Sequence, residues 1–259
     1  MAMKSPRPFW STCVALSIST FTTVSAYAQF LDTPPSPGAT STVVFSGIDF
    51  SKDSYAGWTG VIVSLERDLG KSGFMFRAVG VHAGYEYDTT FGNTPVVIDG
   101  DAWIGDAMIG YQAVLPAFRA AAYIGIEYQD HDLTPDDPSN VVNGDEAGFK
   151  VVGELESPWS SPFYFGAIGA YSTAFDAYWT RGRLGLRHEG LLFGVEGGAS
   201  GNDGYDNQRL GGFFEFPVPM GPLTGYVSLN GGYQFADEGE AGLGGGRGAY
   251  GGVGYSFSF

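Results

Sequence analysis

The last five residues, Tyr255-Ser256-Phe257-Ser258-Phe259, alternate aromatic rings with serine and finish on an aromatic residue. Successive side chains of a strand point to opposite faces. Val253, Tyr255, Phe257 and Phe259 therefore make an apolar stripe, backed by Gly252, Gly254, Ser256 and Ser258. A strand that separates lipid from a polar interior needs that division, and the pattern looks like the closing strand of a bacterial outer-membrane β-barrel.

The same alternation recurs upstream. About twelve segments of roughly ten residues show it, at 42–50, 55–66, 73–87, 101–115, 118–131, 146–156, 162–173, 177–188, 191–200, 207–216, 222–235 and 247–259. An even count returns both ends to one side, which in such barrels is the periplasm. The expected fold is all-β: a transmembrane antiparallel β-barrel of about 12 strands over residues 42–259. A soluble barrel would turn its apolar face inward and fill its centre with large residues. Here the polar face is rich in Gly, Ser, Gln, Arg and Glu, which suits a narrow lumen.

Connections alternate in character. Pro116-Ala117, Glu189-Gly190, 157–161 and 217–221 are tight and are assigned to the periplasm. The stretches 88–101, 132–145, 201–206 and 236–246 are longer and acidic, with Asp136, Asp137, Asp237, Glu238 and Glu240, and are assigned to the outside.

The N-terminus gives the same address. Lys4 and Arg7 precede a short, Ser- and Thr-interrupted apolar stretch, and Ala26-Tyr27-Ala28 is a cleavage site of the A-x-A kind. Residues 1–28 read as a signal peptide removed on export. Residues 29–41, with Pro34, Pro35, Pro37 and Gly38, read as a flexible periplasmic lead-in. The predicted location is the bacterial outer membrane, with its lipid and lipopolysaccharide as surroundings and a monomer as the expected state. The only cysteine, Cys13, falls in the leader, so the exported chain has no thiol for a disulfide or a metal. A formal net charge of −15 excludes nucleic acid as a partner.

Two hairpins fix a register. If Pro116-Ala117 is a two-residue turn, Tyr111 faces Ala122 and Ile109 faces Ile124 on the lipid side. Inside, Gly110 then faces Tyr123 and Asp106 faces Glu127. If Glu189-Gly190 is likewise a turn, Leu186 pairs with Phe193 and Leu184 with Val195 outside, and Arg183 lies opposite Glu196 inside. A slip of one residue would place a charge in lipid, at about 2–4 kcal/mol for Arg near the midplane. Segment 73–87 is harder to orient, because Arg77 and His82 fall on opposite faces.

The lumen-facing charges, and so the candidate binding residues, are Asp106, Arg119, Glu127, Lys150, Glu154, Arg181, Arg183, Arg187, Glu196, Arg209 and Glu215. Mixed signs favour ion-pair networks that brace a narrow barrel. The sharper alternative makes Arg181, Arg183 and Arg187 a basic ladder for an anionic sugar or other small anion, blunted by Glu196. Asp106 opposite Glu127 is a like-charge pair and calls for Lys150, an arginine or a cation beside it. Trp58, Trp103, Trp159 and Trp179 fall near strand ends and suit interfacial girdles.

For catalysis the candidate is Asp130-His131-Asp132 with Asp136 and Asp137, where a histidine beside carboxylates could activate water. Only His82, His131 and His188 exist, and no G-x-S-x-G elbow occurs. A solvated acidic loop is the better reading, and the chain is expected not to be an enzyme. The loop acids match no calcium-loop spacing, so no metal and no cofactor are expected.

Several stretches carry a resemblance: Phe45-Ser46-Gly47-Ile48-Asp49; Asp99-Gly100-Asp101-Ala102-Trp103 with Ile109-Gly110-Tyr111-Gln112; Tyr128-Gln129-Asp130-His131-Asp132-Leu133. Tyr171-Ser172-Thr173-Ala174-Phe175-Asp176 with Tyr178-Trp179, and Gln208-Arg209-Leu210-Gly211-Gly212-Phe213, add to it. Through them the chain resembles the bacterial cellulose biosynthesis protein BcsS family over most of 43–259. The resemblance implies an outer-membrane protein of cellulose production, with cellulose or its secretion machinery as partner, and transfers no active-site residues. The expected function is accessory or narrow-channel help in cellulose secretion. The alternatives are a porin-like small-solute or oligosaccharide channel with a charged lumen and, further off, an outer-rim hydrolase.

Overall fold

The computed structural model describes residues 40–220, 223–236 and 247–259. The expected signal peptide (1–28), most of the lead-in (29–41) and the acidic stretch with Asp237, Glu238 and Glu240 lie outside the described residues.

Twelve strands follow one another: β1 (Thr42–Ser51), β2 (Ser54–Ser64), β3 (Gly73–Phe91), β4 (Thr94–Val114), β5 (Arg119–Thr134), β6 (Gly144–Glu156), β7 (Phe163–Ser172), β8 (Tyr178–His188), β9 (Leu191–Asn202), β10 (Tyr205–Met220), β11 (Leu223–Ala236) and β12 (Gly248–Ser258). Each pairs antiparallel with its sequence neighbours, and β1 pairs with β12 to close the barrel. Closure removes every sheet edge. Both expected hairpin registers are present: Gly110 opposite Tyr123, Asp106 opposite Glu127, Leu184 opposite Val195 and Arg183 opposite Glu196. At the second turn Glu189 and Gly190 both have positive φ, 51° and 83°, the backbone of a type I′ turn that keeps the flanking twist.

Three connections differ from expectation. The acidic stretch 88–101 is not a loop: Asp88 pairs with Val97 and Thr90 with Pro95, and the chain reverses at Gly92, whose φ is 66°. Thr89, Thr90, Val96 and Val97 are β-branched, and that preference outweighs the loop-like acids. The stretch 201–206 likewise closes with Tyr205 opposite Asn202. Strand β10 runs through Pro217 and Pro219 to Met220, past the turn placed at 217–221. Its pairing with β9 ends at Glu215, so the missing proline N–H groups interrupt no ladder on that side. Among the described residues, much of the length at the end away from the termini comes from the extended strands β3, β4 and β5, beside the 135–143 loop.

The exterior is apolar. Ile109, Ile126, Phe149, Phe163, Leu184 and Leu210 are each at least 60% exposed, and they sit on the same face as Val253 and Phe259. Trp103 and Trp159 are on the outer surface, but Trp58 and Trp179 are buried inside, against the expectation of four girdle tryptophans. A side chain on Gly47 would bring its Cβ within 2.9 Å of Trp58 Cε2, so the glycine makes room for an inward indole. The interior is also more apolar than the small polar face expected. Phe45, Ile62, Met75, Val79, Val81 and Met108 pack with Trp58 and Tyr123 into one cluster along β1 to β8. In β1 to β4 both faces of the strands are apolar, so alternation gave little contrast there.

Candidate functional site in the barrel interior

Long side chains aimed inward fill the space that twelve strands enclose, and they sort into three groups. The first crosses β3 to β6. Asp106 and Glu127 lie opposite each other, and Lys150 on the next strand reaches both, at 2.8 Å from Asp106 Oδ2 and in close contact with Glu127. Arg77 approaches Asp106 from the other side at 3.4 Å. Its burial settles the ambiguous third strand: Arg77 points in and His82 out, where His82 Nε2 lies 2.7 Å from Asp101. The like-charge pair thus has the cations that its register demanded.

The second group spans β8 to β12 and β1. Arg183 bonds Glu196 at 2.9 Å and Glu215 at 2.6 Å, and its guanidinium lies over the Phe213 ring. Ser228 donates to Glu215, and Tyr250 donates to Glu196. Arg209 donates to Gln234 and lies 3.8 Å from Asp49, while Arg181 stands 4.0 Å from Glu196. The third group sits at the end bearing the termini. There Glu156 pairs with Arg119 and Arg187, and Arg187 stacks over Trp159 and Tyr164. Glu154 is buried nearby, with one carboxylate oxygen unbonded.

Every predicted interior charge is therefore inward-facing. The structure brings Asp106, Glu127 and Lys150 together, and Arg183, Glu196 and Glu215. Arg181, Arg183 and Arg187 share one strand face, but each stands opposite a carboxylate rather than an open passage. Asp49, Arg77 and Glu156 are interior charges that the sequence reading missed. Asp49 could have been found from alternation with Phe45, but its partners lie on β10 and β11, far along the chain.

The outer-rim cluster is split by strand alternation. His131 points inward, between Tyr85 OH and Gln129 Oε1 at 3.1 Å each, with its ring edge-on to Phe175. Asp130 and Asp132 project from the opposite face of the same strand. Asp137 is held in the 135–143 loop by Ser139 Oγ at 2.6 Å, Ser139 N at 3.1 Å and Tyr87 OH at 3.0 Å. The Ser139 side chain, then the Ser139 amide and Tyr87, hold the Asp137 carboxyl below the ordinary aspartate value of 3.8. A depressed carboxylate stabilises a fold at pH above its unfolded value and loses that effect as pH falls through the folded value. Amide protection across 135–143, taken relative to the intrinsic exchange rate at each pH, is expected to hold at pH 5 and to fall only below pH ~3.8. Asp137→Asn should remove that step, and an unchanged acid profile would contradict the loop's anchoring by this carboxylate.

Among the described residues, cavities open toward each end of the interior. One, of about 200 Å3, opens at the end bearing the termini, between Thr40, Leu69, Phe118, Arg119, Glu156 and Trp159. The other, about 30 Å3, lies toward the opposite mouth among Asp49, Trp58, Trp179, Asn207, Arg209, Asn230 and Tyr250.

Residues 43–259 match the family described as "Cellulose biosynthesis protein BcsS". No curated protein matches the chain. Among solved structures, CdiB from Acinetobacter baumannii aligns at 8% identity over 85% of this chain, with a TM-score of 0.38. The chain spans 60% of that chain's length.

Proposed function

The chain belongs to the cellulose biosynthesis protein BcsS family, and from that premise we propose an outer-membrane barrel that serves cellulose secretion or surface anchoring in an accessory, non-catalytic role. The observation that carries the membrane part is the girdle of exposed Ile, Leu, Phe and Val on the outward face of strands β3 to β12, which a water-soluble barrel would hide. Lipid and lipopolysaccharide are the surroundings such a face fits. Residues 1–28 supply the export signal, and the closed sheet, which needs no second chain to cover an edge, supports a monomer.

Two features favour an accessory role over a conduit. Cellulose is neutral, whereas the interior carries many charges and spends most of them on ion pairs. The cross-section is also occupied, on one side by the Phe45, Ile62 and Met108 cluster and on the other by the Arg183 group. The test is deletion of the gene with complementation. Cellulose output or attachment at the cell surface should fall and recover with the intact gene, and unchanged output and attachment would overturn the proposal.

A further inference from the structure

The 30 Å3 cavity is bordered by Asp49 on β1, Trp58 on β2, Trp179 and Arg181 on β8, Asn207 on β10, Asn230 on β11 and Tyr250 on β12. Its charged groups are spent on one another, Arg209 facing Asp49 and Arg181 facing Glu196, and the Tyr250 hydroxyl donates to Glu196. What remains unpaired is neutral. Trp58 Nε1 and Asn207 Nδ2 are donors, and Asn230 Oδ1 is an acceptor, none with a hydrogen-bond partner. Trp58 is 4% exposed and Asn207 2%. The other ends of both amides are engaged, Asn207 Oδ1 by Ser200 and Asn230 Nδ2 by Asp49 and Glu196. Buried polar atoms are ordinarily paired, so orphans that border one cavity imply a guest that pairs them.

The chemistry of the guest follows. An anion would need donors alone and would meet Asp49 and Glu196; a cation would need acceptors alone and would meet Arg181 and Arg209. A hydroxyl both donates and accepts, and so satisfies a mixed set. The cavity has room for about two water-sized groups, which fits the carbon and oxygen of a primary alcohol arm but not a sugar ring. The geometry points to a subsite at this mouth for the hydroxymethyl arm of one glucosyl unit in a β-linked glucan. The sugar ring rests outside the cavity, beside the Trp179 and Tyr250 rings that border it. The choice of glucan rests on the cellulose role proposed above; the hydroxyl chemistry does not.

The test is titration of the mature barrel, refolded in a detergent without a sugar headgroup, with cellopentaose and with xylopentaose, followed by calorimetry and tryptophan emission. Xylopentaose shares the β-linkage but lacks the hydroxymethyl arm. Cellopentaose should bind, and xylopentaose should bind roughly tenfold more weakly or not at all. Trp58→Phe and Asn207→Ala should each weaken cellopentaose roughly tenfold while preserving the heat-modifiable gel shift of a closed barrel. No binding of cellopentaose, equal binding of both sugars, or folded variants that bind as well as the parent would overturn the subsite and leave water as the guest. The comparison of the two sugars uses the parent protein and stands even if a variant fails to fold. Binding without a deletion phenotype would sink the cellulose role but not the subsite, and the reverse result would do the opposite.

Discussion

Lys150→Met is expected to cost about 3–5 kcal/mol of unfolding free energy, the range for removing one partner of a buried ion pair. Lys150 Nζ is the group that reaches both Asp106 and Glu127, whose facing positions are fixed by the β4–β5 ladder. All three side chains are almost wholly shielded from solvent. Methionine fills much of the space but removes the ammonium that both carboxylates share, with Arg77 3.4 Å from Asp106. Urea unfolding of the barrel in lipid vesicles, read by the heat-modifiable gel shift, measures the loss. Adding Glu127→Gln should recover much of it, because the uncompensated charge is what costs, not the lost contact. A loss below ~1 kcal/mol would mean that the interior carboxylates are neutralised some other way.

The second large effect concerns the outer face. Leu184 is 63% exposed and lies between Phe165 and Val195, both also outward. At such a site on a water-soluble protein, Leu184→Arg would change stability by about 0.5 kcal/mol or less. In a membrane-embedded wall, near the bilayer midplane, the same substitution costs about 2–4 kcal/mol. Vesicle unfolding of Leu184→Arg beside Thr180→Arg, nearer the strand's outer end, should show the cost falling toward the rim. Equal, near-zero effects at both positions would remove the lipid from the account.

Much of the wall was legible in the sequence, and the reason is local. A two-residue turn followed by alternating side chains leaves one register that keeps charges off the apolar face, which placed Asp106 opposite Glu127 and Arg183 opposite Glu196. Closure was legible from Tyr255 to Phe259, whose rings do face outward while Ser256 and Ser258 are buried against β1. What failed is where the signal was weak or distant. Trp58 lies deep inside because Gly47 across the β1–β2 ladder leaves it room, a relation between strands that tryptophan's preference for membrane interfaces conceals. Asp49 finds Asn230 and Arg209 only when the first strand meets the last ones. The Thr89 to Val97 hairpin reads as an acidic loop in the sequence because Asp88, Asp99 and Asp101 mask the β-branched residues between them. The orphaned atoms of the 30 Å3 cavity come from three strands, β2, β10 and β11, and no single segment announces them.

The central claim is a barrel whose own side chains occupy its interior. Single-channel recording in planar bilayers tests it most directly, on mature protein whose insertion is verified by protease protection. The account predicts a silent membrane, with or without cello-oligosaccharide. Sustained open steps, above all steps that cellopentaose blocks, would contradict it and make the interior arginines the lining of a glucan path.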